Sequence, residues 1–389
     1  MTSAGIARRA AARFGRNARD AAQTLAQSGL PPVFVGNRYV AHVDAAAEAG
    51  RKGRRKVVHA ASIAHAPLPS NLTDPADLPE DPGWWGFSFR DVLNRRVAPT
   101  SILELEEADV LLARESGGRR DVYPAILDDR GRSLDLNQIR HRPLHASLPR
   151  SADRRMSRGV WIAERVYDNH SHWLTAHLPK LILLRDRDRL KDLVLPSELS
   201  PVIRETLGKL GIDPTRCPRI APGERVSFGD LTVVQTDRFR PELVWSVRDE
   251  FARPRTARRR IFVTRRSARG RRLREEEAVM AILATHGFET VAMETLSFDE
   301  QVNLMGETGT MVAPHGAGLT NMIFCPQGTR ILEIADAAYP NPNFYALAAA
   351  LGHDYRIVAA QGIGAGHALD RDLSVDPDRV LAALGEMGS

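Results

Sequence analysis

The chain has 389 residues, enough for two domains or three at roughly 100–200 residues each. Apolar residues make up 43% and charged residues 26%, which excludes disordered, collagen-like and low-complexity classes. No apolar run approaches the roughly 18 residues of a membrane-spanning helix, and the net charge of +6 invites a nucleic-acid partner.

The first segment, residues 7–27, is rich in Arg and Ala, with Ile6, Ala10, Phe14, Ala21 and Leu25 on one helical face. It reads either as a solvated helix or as a helix lying on an anionic membrane surface through residues 1–28. No apolar core follows it, so a secretory signal is not expected. Residues 32–90 are irregular, punctuated by Pro67, Pro69, Pro75, Pro79 and Pro82 and closed by Gly83-Trp84-Trp85-Gly86. Short apolar runs between Ile102 and Ser133 predict strands, with a hairpin turn at Asp128-Asp129-Arg130-Gly131. Gly159–Ala163 reads as a strand entering Asp168-Asn169-His170-Ser171-His172-Trp173, and Trp173, Leu174, His177, Leu178 and Leu181 continue it as a helix. Another helix is expected over Pro201–Leu210, then strand, turn and strand over Glu224–Gln235.

Beyond Arg253-Pro254-Arg255 the pattern becomes regular. Strands are expected at 261–264, 289–293, 309–314, 330–334 and 355–358, with helices at 275–286, 298–305, 319–324 and 344–351 between them. Alternation of this kind predicts a parallel, doubly wound α/β sheet, which binds ligands beyond the carboxyl ends of its strands.

The charge resolves along the same map. Residues 1–65 carry +8 and residues 253–274 carry +11 against a total of +6, which leaves −13 on the remainder. Neither basic stretch is interleaved with aromatics, so a local anion site fits better than a nucleic-acid footprint. The two cysteines, Cys217 and Cys325, lie far apart and suit a reducing compartment.

Several motifs sit where such a sheet binds ligands. His315-Gly316-Ala317-Gly318-Leu319-Thr320-Asn321 follows an apolar strand and opens a helix. Its glycines admit a close ligand and its amides suit an anion, with Thr320 and His315 as added donors. The alternative is a turn that needs glycine only for positive φ. Thr264-Arg265-Arg266 ends its strand on the same side, where guanidinium forks suit phosphate; the alternative is a solvated charge run. Glu333, late in its strand, can accept from ribose hydroxyls or simply end the strand in a salt bridge. Asn169, His170, His172 and Trp173 suggest a polar pocket floor, against an ordinary helix start. Asp186-Arg187-Asp188 has the spacing of a metal-binding D-x-D but sits in a charged helix end, and no metal is expected. Asp376-Pro377-Asp378 reads as the start of the last helix.

Taken together and in order, these parts resemble glycosyltransferase family 61, which includes capsular polysaccharide enzymes of bacteria. The segment from Asn169 to Leu181, the arginine segment with Glu275, Leu296–Val302, and residues 314–334 carry the likeness, over about residues 155–360. The resemblance implies a GT-B fold, two Rossmann-like domains facing a cleft. Residues 1–90 would form an extension, 91–252 the acceptor side and 253–389 the nucleotide-sugar side. It implies inverting transfer of a hexosyl or pentosyl unit from a nucleotide-sugar, UDP-linked by analogy, without metal or other cofactor. The acceptor would be a glycan or lipid-linked saccharide, in the cytoplasm or at the inner face of the membrane. Arg265, Arg266, His315, Gly316, Ala317, Gly318, Leu319, Thr320, Asn321 and Glu333 would bind the donor. Asn169 and Trp173 would face the acceptor. The family often has a carboxylate three residues after the Trp, where this chain has Ala176. His172, Asp168 or His170 would then act as base, or activity would be impaired and the protein would bind nucleotide-sugar or glycan only.

Overall fold

The computed structural model describes residues 40–83, 86–115, 121–149, 151–364 and 366–385. The helix expected over residues 7–27, its membrane contact and the Trp84-Trp85 pair lie outside the described residues. The described residues form two compact units built from interleaved segments: 40–56, 102–165 and 219–235 in one, and 57–101, 166–218 and 236–385 in the other.

In the first unit the strands His42–Asp44, Ser133–Asp135, Val122–Leu127, Thr100–Arg114, Arg225–Gln235 and Arg154–Trp161 are neighbours in that order. The first and last of these pairs are parallel, and Val122–Leu127 runs antiparallel to both Ser133–Asp135 and Thr100–Arg114. This is a mixed sheet rather than a second doubly wound one, because its inner strands connect through a hairpin. The hairpin turns where expected: Asp128 N–H and Arg132 C=O pair at 2.9 Å, and Gly131 takes φ +72°. The expected break in Glu224–Gln235 is absent, and Arg225–Gln235 is one continuous strand. Gly229 serves close approach instead, since a Cβ there would lie 2.8 Å from the Ser157 carbonyl oxygen.

The second unit carries the regular pattern. Its helices and strands run α1 (residues 170–185), α2 (Pro201–Lys209), α3 (Pro241–Phe251), β1 (Arg259–Val263), α4 (Glu276–Ala284), β2 (Phe288–Val291) and α5 (Phe298–Gly306). They continue as β3 (Thr308–Pro314), a 3-10 turn (Ala317–Phe324), β4 (Arg330–Asp336), α6 (Asn343–Leu351), β5 (Asp354–Ile363), β6 (Asp372–Ser374) and α7 (Pro377–Leu384). Strand order is β2-β1-β3-β4-β5-β6, parallel except for the β5–β6 pair. The five parallel strands are those expected. Their near-continuous apolar runs are what a sheet covered on both faces requires. Val279 and Leu283 of α4 and Val380 and Leu384 of α7 share one core with Phe262, Val312, Leu332 and Val358. The last helix is capped by Asp376, whose side chain accepts from Asp378 N–H at 3.0 Å.

A cut near Arg253 does not coincide with this division. Helices α1, α2 and α3 group with the C-terminal sheet because long-range contacts bind them there. Trp245 Nε1 donates to the Ala350 carbonyl at 2.9 Å, and the buried Arg248 donates to the Ile323 carbonyl at 3.0 Å. Phe251 meets Phe298 edge-on at 5.3 Å, and Phe298 meets Phe324 at 5.5 Å.

Strand order β2-β1-β3 means that the chain leaves β1 in one direction and returns beside it in the other. The crevice beyond β1 and β3 is therefore the switch point, where doubly wound sheets bind ligands. Arg265 follows β1 and Gly316 follows β3.

Candidate functional site

Arg265 and the glycine turn meet at this switch point. Gly316 is extended, with φ 175° and ψ 171°, and neither it nor Gly318 lies in the left-handed region. Close approach is the reason for glycine: a Cβ on Gly316 would lie 1.8 Å from Arg265 Nη1 and 2.6 Å from Cζ. The guanidinium is laid on the bare backbone of the turn. A Cβ on Gly318 would lie 3.0 Å from Val263 Cγ1, so the second glycine lets the turn close on β1. Ala317 and Gly318 are half-buried, whereas Leu319 is in the core.

Arg265 is a half-buried cation that makes no ion pair with a carboxylate among the described residues. Nη2 donates to the Gly270 carbonyl at 3.1 Å, while Nε is buried and makes no hydrogen bond. Burial, reinforced by the neighbouring Arg271, pulls it down to about 10, so the group still carries its charge at pH 7. A buried charge of this kind is costly unless an anion joins it. Glu276 fixes the loop below. Its Oε1 accepts from Thr264 Oγ1 at 2.6 Å and from Arg265 N–H at 3.3 Å. Glu276 Oε2 pairs with Arg266 at 3.0 Å, so this exposed guanidinium, unlike that of Arg265, has a carboxylate partner.

His315 and Glu333 do something other than touch a ligand. Glu333 is wholly buried; its Oε1 pairs with His315 Nδ1 and its Oε2 accepts from Tyr355 O–H at 2.7 Å. His315 Nε2 meets Asn341 Nδ2 at 3.0 Å. Both ring nitrogens and both carboxylate oxygens are thus engaged internally, so neither group is open to a ribose or a phosphate. They brace the end of β3 against β4 and β5. Burial holds the His315 ring below its ordinary value, against the pull of Glu333. Thr320 Oγ1 is buried and makes no hydrogen bond.

On the other flank α1 begins with Asn169 as its cap, accepting from Ser171 and His172 N–H at 3.0 and 3.3 Å. Asn169 is therefore a helix cap by geometry. Just before it, Val166 takes φ +59°, an unusual conformation for a β-branched residue. Residues Trp173–His177 form a π turn, with Leu178 N–H reaching the Trp173 carbonyl. Pro179 explains the widening: it lacks an N–H, and in a tighter turn its ring would press on the Thr175 carbonyl. Trp173 is only 2% exposed, and its Nε1 donates to Thr206 Oγ1 at 2.8 Å. It is a core residue and offers no face to an acceptor. Ala176 is also buried. Asp168 is exposed and His172 half-buried.

Two residues to which the sequence assigned no role complete this flank, Arg238 and Gln301, the latter inside the Leu296–Val302 likeness. Arg238 grips the start of α1, donating from Nε to Thr175 Oγ1 at 2.7 Å and from Nη2 to Ser171 Oγ at 3.0 Å, with Nη1 3.5 Å from His172 Nε2. Gln301 on α5 accepts from Asn321 Nδ2 at 2.9 Å, and Asn321 Oδ1 lies 3.0 Å from His170 Nε2. The glycine turn and the His170–Trp173 segment, expected on separate domains, are thus joined directly in one unit. The acidic pair of the D-x-D triplet stands apart: Asp186 pairs with Arg185, which forks onto Glu250 at 2.8 and 2.7 Å. Among the described residues, no group of three or more His, Cys, Asp or Glu side chains is placed to hold a metal ion.

Residues 163–332 match the family model described as Glycosyltransferase 61. The match spans α1, β1, the arginine loop, β3 and the glycine turn, and it supports glycosyl transfer, with a sugar donor and an acceptor, as the class of chemistry. No match is found among curated proteins.

Proposed function

We propose that the protein is an inverting glycosyltransferase that moves a hexosyl or pentosyl unit from a nucleotide-sugar, with UDP as the nucleotide, to a glycan or lipid-linked acceptor. The observation that carries the reading is Arg265, a half-buried guanidinium with no carboxylate ion-pair partner among the described residues, lying on Gly316 at the switch point of a doubly wound sheet. The doubly wound unit would be the donor half of a GT-B-type arrangement. A nucleoside diphosphate fits the crevice because its leaving oxygens gain charge as the glycosidic bond breaks. Arg265 and the amides opening the 317–324 turn stabilise that charge. An acceptor hydroxyl attacks the anomeric carbon opposite the diphosphate, and a base among His170, His172 and Asp168 takes its proton. The bacterial surface-polysaccharide setting, and action at the inner membrane face through residues 1–28, extend the same reading.

Arg265→Ala is the test. It should lower turnover of UDP-glucose by about 10²–10³ while the protein stays folded, and EDTA should leave wild-type turnover intact. Wild-type turnover in the variant sinks the reading. Ala176, buried where relatives often have a carboxylate, favours a second reading, a protein that binds nucleotide-sugar without transferring it. In that case UDP-glucose binds by calorimetry and no UDP is released with any acceptor.

A further inference from the structure

We propose that His170 is the general base of the transfer, and that Gln301 and Asn321 are positioning residues that hold its ring with the proton on Nε2 and the lone pair on Nδ1. The inference rests on the glycosyl-transfer reading and chooses among its three candidate bases.

The choice follows from a chain of donors and acceptors in which each link has one solution. Gln301 Nε2 lies 3.1 Å from the Met293 carbonyl and 3.0 Å from the Leu296 carbonyl. Carbonyl oxygens only accept, so the amide nitrogen must face them and Oε1 must face Asn321. Oε1 also only accepts, so Asn321 presents Nδ2 to it, at 2.9 Å. That orientation turns Asn321 Oδ1 toward His170 Nε2 at 3.0 Å, and Nε2 has to donate. Asn321 is wholly buried and Gln301 nearly so, so water does not compete for these links. A neutral imidazole carries one proton. With Nε2 protonated, Nδ1 holds the free lone pair, and it makes no hydrogen bond among the described residues.

His172 lacks this arrangement. Arginine can only donate, so Arg238 Nη1 engages the His172 Nε2 lone pair. The charged groups around His170 are few. Asp168 and His172 lie on its own segment, and Arg238 grips that segment through Ser171 and Thr175. The segment that packs against it, Ala317–Phe324, contains no ionisable side chain. Burial holds the ring below the ordinary histidine value, with Asn321 opposing, which keeps it neutral and able to accept a proton at pH 7. In the step itself the acceptor O–H proton passes to Nδ1 as the acceptor oxygen bonds to the anomeric carbon. The bond from that carbon to the diphosphate oxygen breaks, its electron pair leaves with the diphosphate, and the imidazolium later returns the proton to water.

The test reads the tautomer directly. Long-range ¹H–¹⁵N correlation on the ¹⁵N-labelled full chain, with His170 assigned by its loss in His170→Gln, should show the Nε2-protonated form above the titration midpoint. Gln301→Met should give a mixture of tautomers, and Asn321→Asp should raise the midpoint. Gln301→Met should also lower kcat for UDP-glucose several-fold with KM unchanged. His170→Gln should lower kcat by about 10²–10⁴ while UDP affinity by calorimetry holds. An Nδ1-protonated His170 ring in the wild type overturns the proposal even if neither Gln301→Met nor Asn321→Asp folds, and so does wild-type turnover in His170→Gln. Failure of the wild type to bind UDP would count against the donor reading instead, and would leave the tautomer result standing.

Discussion

Gly316→Ala isolates the contact on which the proposed donor site depends. At φ 175° an alanine is unstrained, so the only new feature is a methyl group placed 1.8 Å from Arg265 Nη1 and 2.6 Å from Cζ. The flexible end of a side chain gives way before a buried backbone does, and the guanidinium is displaced. Its burial is itself a cost, visible in the pull to about 10, so ejecting it toward water leaves stability unchanged or slightly higher. Hydrogen bonds to a charged group contribute about 1.5–3 kcal/mol, so loss of the Arg265 contact should weaken UDP binding roughly 10- to 150-fold. Calorimetry with UDP reads this, alongside a thermal melt of the same samples. The decisive comparison is a cycle with Arg265→Ala. If the methyl acts by displacing the guanidinium, the double variant binds UDP no worse than Arg265→Ala alone. Wild-type affinity in Gly316→Ala, or losses that add in the double variant, would refute the reasoning.

Acid should destabilise the protein through histidines held neutral in the fold. Burial brings His353 and His141 to about 4, against about 6.5 unfolded. Their contribution is complete above pH 6.5 and is lost as pH falls from 6.5 toward 4, because the unfolded chain binds the protons first. Urea unfolding at pH 7 and pH 5 should differ by up to about 1.4 kcal/mol per pH unit for the buried His353 and by less for the more solvent-screened His141, and equal stability at the two pH values would contradict this. Trp173→Phe should lower stability by about 1–3 kcal/mol through the lost Thr206 bond, with UDP affinity unchanged. A fall in UDP affinity without a fall in stability would return Trp173 to a ligand-facing role.

The sequence by itself determined the five parallel strands, their intervening helices and the placement of Thr264-Arg265-Arg266 and His315–Asn321 at strand ends. These are local matters: apolar runs, glycine punctuation and an Asp-Pro cap act over a few residues. Which of the named side chains face the crevice was decided by the tertiary structure. Glu333 and Arg265 both follow or end apolar strands. Glu333 is enclosed by His315 and Tyr355, whereas Arg265 finds no carboxylate and lies on Gly316. Trp173 has helical spacing whether it packs or binds, and only Thr206 on α2 shows that it packs. Arg238 and Glu276 carry no local signal, and Gln301 lies in the Leu296–Val302 likeness without a role legible there, since each acts on residues distant in sequence. The glycine of the turn was legible as a glycine, but its cause, a guanidinium rather than a positive φ, needed β1 and β3 set side by side. Burial and partnership depend on the whole packed unit, and they separate a side chain left open to a partner, Arg265, from those that brace.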